Sequence, residues 1–262
     1  MLRALAATAL LAASLVAASC GDGPPAERSS RERPTTGPTP RERFANALIA
    51  TRRAGSAAVS EHLVSEPRQL EWEITGRTRF DRNEAVLDIV HQRHPVLAPG
   101  TGFHIVIDFS PYVRRTNGRW YVPPFHSGEF ELSYRNFVYL IGRAYGRVAA
   151  DGPETLLVWM SRANLTRLRE TAEGAEGPLG TLYDLIGPMR FQLDDEGRIE
   201  RMEYMVTGRY FWALTPAHRV RVSVEFSDFK HHFDVEPPPG NLITPGRLKP
   251  PQPGARAEIS RL

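Results

Sequence analysis

The chain has 262 residues, with 33 basic and 30 acidic side chains and a formal net charge of +3. All the basic residues except Lys230 and Lys249 are arginine, spread among nearly as many acids, whereas a nucleic-acid binder gathers its cations on one face beside aromatics. A lone cysteine, Cys20, excludes an internal disulfide framework and a Cys-based zinc site, so an exported domain would have to stand on its core alone.

Residues 1–19 open with Met1-Leu2-Arg3 and continue as an apolar run ending in small residues, the parts of a secretory signal peptide. The run falls short of the roughly 20 apolar residues of a permanent span, and charges interrupt every later apolar stretch. Ala17-Ala18-Ser19-Cys20 resembles the lipobox of bacterial lipoproteins. In that family the cysteine sulfur receives a diacylglyceryl group, cleavage falls just before it and the new N-terminus is often acylated. The resemblance makes Cys20 the expected lipidation site, with the protein exported and lipid-anchored to the outer face of the cell membrane. Two or more acyl chains hold a protein there stably, where one does not.

Residues 20–40 join that cysteine to a stretch rich in Pro, Ser, Thr, Gly and Arg, expected as a disordered tether. Fully extended at about 3 Å per residue, it would reach ~60 Å. Arg28, Arg31, Arg33, Arg41 and Arg43 would lie near anionic headgroups. Residues 41–236 form the expected globular domain, large enough to bury roughly 70% of its unfolded surface. The run from Pro237 to Leu262, with Pro245, Pro250, Pro251 and Pro253, is expected to be unstructured because proline supports neither helix interior nor sheet ladder.

Within the domain, Thr39-Pro40 followed by Phe44, Ala47, Leu48 and Ala54 predicts a helix that Gly55 ends. Strands come next. Leu70, Trp72 and Ile74 alternate with polar residues, and Phe80 resumes the phase across Gly76. Leu87 with Ile89, then Phe103, Ile105, Ile107 and Phe109, then Val220, Val222, Val224 and Phe226 repeat the pattern. Period two with one polar face marks antiparallel strands wet on one side. Met189, Phe191 and Leu193 lead through Asp194-Asp195-Glu196-Gly197 into Arg198–Thr207, a hairpin. Amphipathic stretches at Tyr134–Tyr145 and Ala163–Ile186, the second broken near Gly174 to Gly180, predict helices. So many strands must curl or split, and one apolar face plus two or three helices predicts an α+β fold with a curved sheet wrapped around the helices.

Catalytic chemistry finds little support. His91-x-x-His94 ends a predicted strand, where two such side chains face opposite ways, and with His104, His126, His231 and His232 it is expected on wet strand faces and loops, not around a metal. No serine elbow or phosphate loop motif occurs. Asp194, Asp195 and Glu196 read as a solvated turn, and Asn164-Leu165-Thr166 as a chance glycosylation match. No catalytic residue, metal or cofactor is expected, and the chain is not read as an enzyme.

In order along the chain, Thr51-Arg-Arg-Ala-Gly55-Ser-Ala, Gly76-x-x-x-Phe80-Asp, Ala85-Val-Leu87, Met189-Arg-Phe-Gln-Leu193-Asp-Asp-Glu-Gly197-Arg198, Val224-Glu-Phe226-Ser-Asp228-Phe229 and Val235-Glu-Pro-Pro-Pro239 follow the lipobox and linker. In this order and spacing the chain resembles the LppX/LprG-like lipoproteins of actinobacteria, related in fold to the LolA/LolB-like lipoprotein carriers. The resemblance implies an antiparallel, incompletely closed β-barrel with helices on its concave face, an apolar cavity, and binding or transport of acylated lipids in the cell envelope. Trp72, Ile74, Leu87, Ile89, Ile105, Ile107, Val222 and Val224 are then expected to point inward, as ligand-lining residues or as packed core. Two functions remain open. One is a carrier or chaperone for a lipid ligand, and the other is an envelope lipoprotein that acts by binding a partner protein.

Overall fold

A computed structural model describes residues 37–95, 97–108, 110–115, 118–122, 134–171, 181–207 and 218–244. The expected signal peptide, Cys20, most of the expected tether, His126, the break at 174–180 and the end of the expected C-terminal tail lie outside these residues.

Helix α1, Pro40–Arg53, starts where the sequence places it. Thr39 and Glu42 cap each other reciprocally, Glu42 accepting from the Thr39 backbone N–H at 2.8 Å, and Pro40 takes a first-turn position that needs no donor. The buried positions Phe44, Ala47, Leu48 and Thr51 form one stripe. Gly55 follows the helix at φ +79°, a left-handed conformation that glycine adopts without steric cost.

Among the described residues one twelve-stranded sheet holds all the strands. They are β1 (Ser56–Glu66), β2 (Glu71–Arg79), β3 (Glu84–Arg93), β4 (Thr101–Asp108), β5 (Ser110–Arg115), β6 (Trp120–Tyr121), β7 (Tyr145–Ala150), β8 (Thr155–Met160), β9 (Met189–Leu193), β10 (Ile199–Thr207), β11 (Arg219–Ser227) and β12 (Ile243–Thr244). The order is β12-β6-β5-β4-β3-β2-β1-β11-β10-β9-β8-β7, so among the described residues β1 stands mid-sheet and β12 and β7 each pair on one side only. All neighbours pair antiparallel except β12 with β6. The sheet does not close on itself, and the fold is the expected incompletely closed antiparallel barrel with helices.

Helices α2 (Tyr134–Ala144) and α3 (Arg162–Thr171) interrupt the strand sequence. Tyr134, Phe137, Val138, Leu140, Ile141 and Ala144 of α2 and Leu165 and Leu168 of α3 join the same core cluster as the inner strand residues. Where α1 and α2 cross, Gly142 lets Leu48 come close: a Cβ there would stand 3.3 Å from Leu48 Cδ1. Among the described residues no helix is long and apolar enough to cross a membrane.

The C-terminal expectation needs correction at its start. Gly240–Leu242 make a 3-10 turn, and Ile243 and Thr244 pair with Trp120 and Tyr121, so the sheet extends beyond Glu236. The prolines at 237–239 precede this strand and cost it no donor.

Candidate functional site

The eight residues expected to face inward are all buried, none more than 4% exposed, and all belong to one apolar cluster with the inner faces of α1 and α2. Register explains the grouping. Leu87 stands opposite Ile105 and Ile89 opposite Phe103, while Ile74 stands opposite Ile89. Across β1, Leu63 lies between Trp72 and Val222, and Glu61 between Ile74 and Val224. Alternation then keeps every second residue of these strands on the same face.

Glu61 is the departure. It occupies an inward position of β1 between Val59 and Leu63 and is only 6% exposed. The Tyr134 hydroxyl, carried by α2, donates to Glu61 Oε2 at 2.8 Å. Burial pushes the Glu61 carboxyl up to about 7, with hydrogen bonding from Tyr134 and Trp72 pulling the other way. Tyr134 and Tyr204 face this acid, and burial and its charge push both phenols well above their ordinary value. A neutral carboxylic acid therefore sits in the apolar face at mildly acidic pH, bonded to the helix that overlies it. Charge hides Glu61 in the sequence, although it stands in phase with Ala57, Val59 and Leu63. That phase was the signal that could have found it.

His91 corrects a second expectation. It is buried, 5% exposed, rather than wet, because it continues the inward phase of Leu87 and Ile89 on β3. Nor do the two histidines face opposite ways. The chain leaves β3 after Arg93, and the His94 ring comes back against His91 edge-on, at 5.0 Å between centroids. Trp72, directly opposite His91 in the register, meets it at 5.4 Å, and Phe103 at 5.6 Å. Burial lowers both imidazoles to about 4, so they are neutral at physiological pH. His94 Nδ1 accepts from the Leu97 backbone N–H at 3.0 Å. His91 Nδ1 is buried with no hydrogen-bond partner among the described residues. No cluster of three metal-ligating side chains occurs among the described residues. His104, by contrast, faces outward and meets Asp88 at 2.7 Å, and His231 and His232 are exposed.

The acidic turn between β9 and β10 is structural, as expected, although Asp194 is not solvated like its neighbours. Its Oδ1 accepts from the backbone N–H groups of Glu196 at 3.0 Å and Arg198 at 2.8 Å, and its Oδ2 takes Arg198 Nε at 2.6 Å.

No protein-family model matches the chain, and no curated protein does. Among solved structures it is similar to LprF from Mycobacterium bovis, with a TM-score of 0.40 and 11% identity, over 78% of this chain and 100% of that one. At this distance the likeness concerns the kind of fold alone.

Proposed function

We propose that this protein is a non-catalytic lipoprotein of the cell envelope, anchored through Cys20, that holds an acylated lipid or another hydrophobic ligand against the inner face of its sheet and acts as its carrier or chaperone. The observation that carries the reading is the continuous apolar face, from Val222 and Val224 through Trp72 and Ile74 to Ile105 and Ile107, in a sheet whose margins do not meet. Helices α1 and α2 turn buried faces into the same cluster, apolar except for Thr51 and the Tyr134 hydroxyl bonded to Glu61. Acyl chains taken up there would be retained by apolar burial, worth about 0.8 kcal/mol per methylene, without a specific polar contact. The lipobox and the sequence of the tether support attachment beside the membrane from which such a ligand would come.

The test is native mass spectrometry of the full chain purified from its own cells. A carrier releases a lipid on denaturation, distinguishable from the acyl groups on Cys20 because those are covalent. Recovery of a protein partner without any released lipid would replace the carrier with an interaction module. Labelled palmitate should enter the wild type and not Cys20→Ser; equal labelling of the two would remove the anchor.

A further inference from the structure

The apolar inner face carries polar atoms in a row across three successive strands, on the acid Glu61, the indole Trp72 and the imidazole His91. Glu61 on β1 is diagonal to Trp72 on β2, and Trp72 is directly opposite His91 on β3. All three are buried. A lipid-free core gains nothing from such a row, since each buried polar group costs about 1–3 kcal/mol when it lacks a partner. Glu61 has Tyr134. His91 has aromatic rings around it and nothing for its Nδ1. A buried polar atom left without a protein partner calls for one from outside the chain.

We propose that His91, with Trp72 beside it and Glu61 one strand further on, is a headgroup subsite that receives the uncharged, hydroxyl-bearing end of an apolar ligand. The inference rests on the ligand-binding reading above and refines it.

The chemistry selects the headgroup. A hydroxyl both donates and accepts, so it serves Nδ1 in either tautomer of a neutral imidazole. A carboxylate or phosphate would bring an uncompensated charge into an apolar wall, beside an acid that ionises near pH 7 and an imidazole held neutral. A quaternary ammonium has no proton to donate and meets no fixed anion below that pH. The site is polar without being charged, and an uncharged hydroxyl is what it accommodates.

The test uses the full chain carrying Cys20→Ser and three ligands with the same twelve-carbon chain, monolauroylglycerol, laurate and dodecyltrimethylammonium, at pH 6.5. Each displaces the neutral apolar probe N-phenyl-1-naphthylamine. Monolauroylglycerol should bind about tenfold more tightly than either charged ligand, the size of one good hydrogen bond to a buried polar group. His91→Phe, which keeps a ring and removes both nitrogens, should erase that preference, read as the ratio of the three affinities within the variant. In protein with 15N-labelled histidine, monolauroylglycerol should move the His91 nitrogen resonances, a readout that needs no variant. Equal affinity for the three ligands, or unmoved His91 resonances at saturation, overturns the subsite and leaves hydrophobic binding standing. Failure of the probe and all three ligands to bind overturns both.

Discussion

Gly76 shows how a single missing atom sets the sheet. It lies in the middle of β2 opposite Leu87, and a Cβ on it would stand 2.1 Å from the Val86 carbonyl oxygen and 2.9 Å from Leu87 Cα. Both atoms are backbone, so no rotamer change can make room. Gly76→Ala should therefore separate β2 from β3 and lower stability by about 1–3 kcal/mol, the usual cost of overpacking a tight site. Chemical denaturation reads this directly, and an unchanged midpoint would show that the strands can part without loss. Gly142, whose nearest neighbour is the flexible end of Leu48, should tolerate alanine far better.

Among the contacts of α1 with the sheet, one is a buried hydroxyl. Thr51 is fully buried, and its Oγ1 accepts from the Ile199 backbone N–H at 2.8 Å, at the start of β10 where the ladder to β9 slips register. Thr51→Val keeps the shape and strands that N–H, so it should cost about 1–3 kcal/mol. Thr51→Ser retains the hydroxyl and should cost clearly less; equal losses would assign the effect to packing. Helix α1 was legible in the sequence because Phe44, Ala47 and Leu48 follow its period and Thr39, Pro40 and Gly55 mark its ends. Strands β2, β3, β4 and β11 were legible through alternation. Strand β1 escaped notice because two of its inward positions are polar, Glu61 and Ser65, the latter spent on the turn to β2 by bonding Pro67 O, Gln69 N and Leu70 N. Strand β7 has no fully buried residue, so its sequence carries no stripe, and β12 is a strand only because β6 lies beside it. Period two groups the eight residues on one face, and the resemblance to an open barrel turns that face inward. Glu61 and His91 share that period, and residue type hid them: charge and imidazole suggest solvent until three-dimensional register overrules the suggestion.

For the molecule as a whole, these two residues give stability opposing pH dependences. The Glu61 carboxyl is raised from 4.5 to about 7, so its contribution is complete below pH 4.5 and is lost as pH rises through 7. His91 is lowered from 6.5 to about 4, so its contribution is complete above pH 6.5 and is lost as pH falls through 4. Across the interval between, one loss offsets part of the other. Glu61→Gln keeps an acceptor for Tyr134 and cannot ionise, so it should unmask the acid loss. Its stability relative to wild type should grow from pH 4.5 to pH 8 by about 3 kcal/mol, at 1.36 kcal/mol per pH unit of displaced titration. A relative stability that stays flat over that range would mean that the acid ionises in the fold as it does in water.

The two margins of the open sheet bear on how copies behave when crowded. Unpaired backbone at a sheet margin is a template on which another chain can anneal. At one margin the last strand is two residues long and offers a short template. At the other, Arg41 reaches back from the first helix to the Gly146 carbonyl at 3.5 Å and lies over the Tyr145 ring, occupying an acceptor that an incoming strand would need. Copies packed side by side would thus find little to zip onto, and a fold that leaves itself ajar avoids fibril-like stacking.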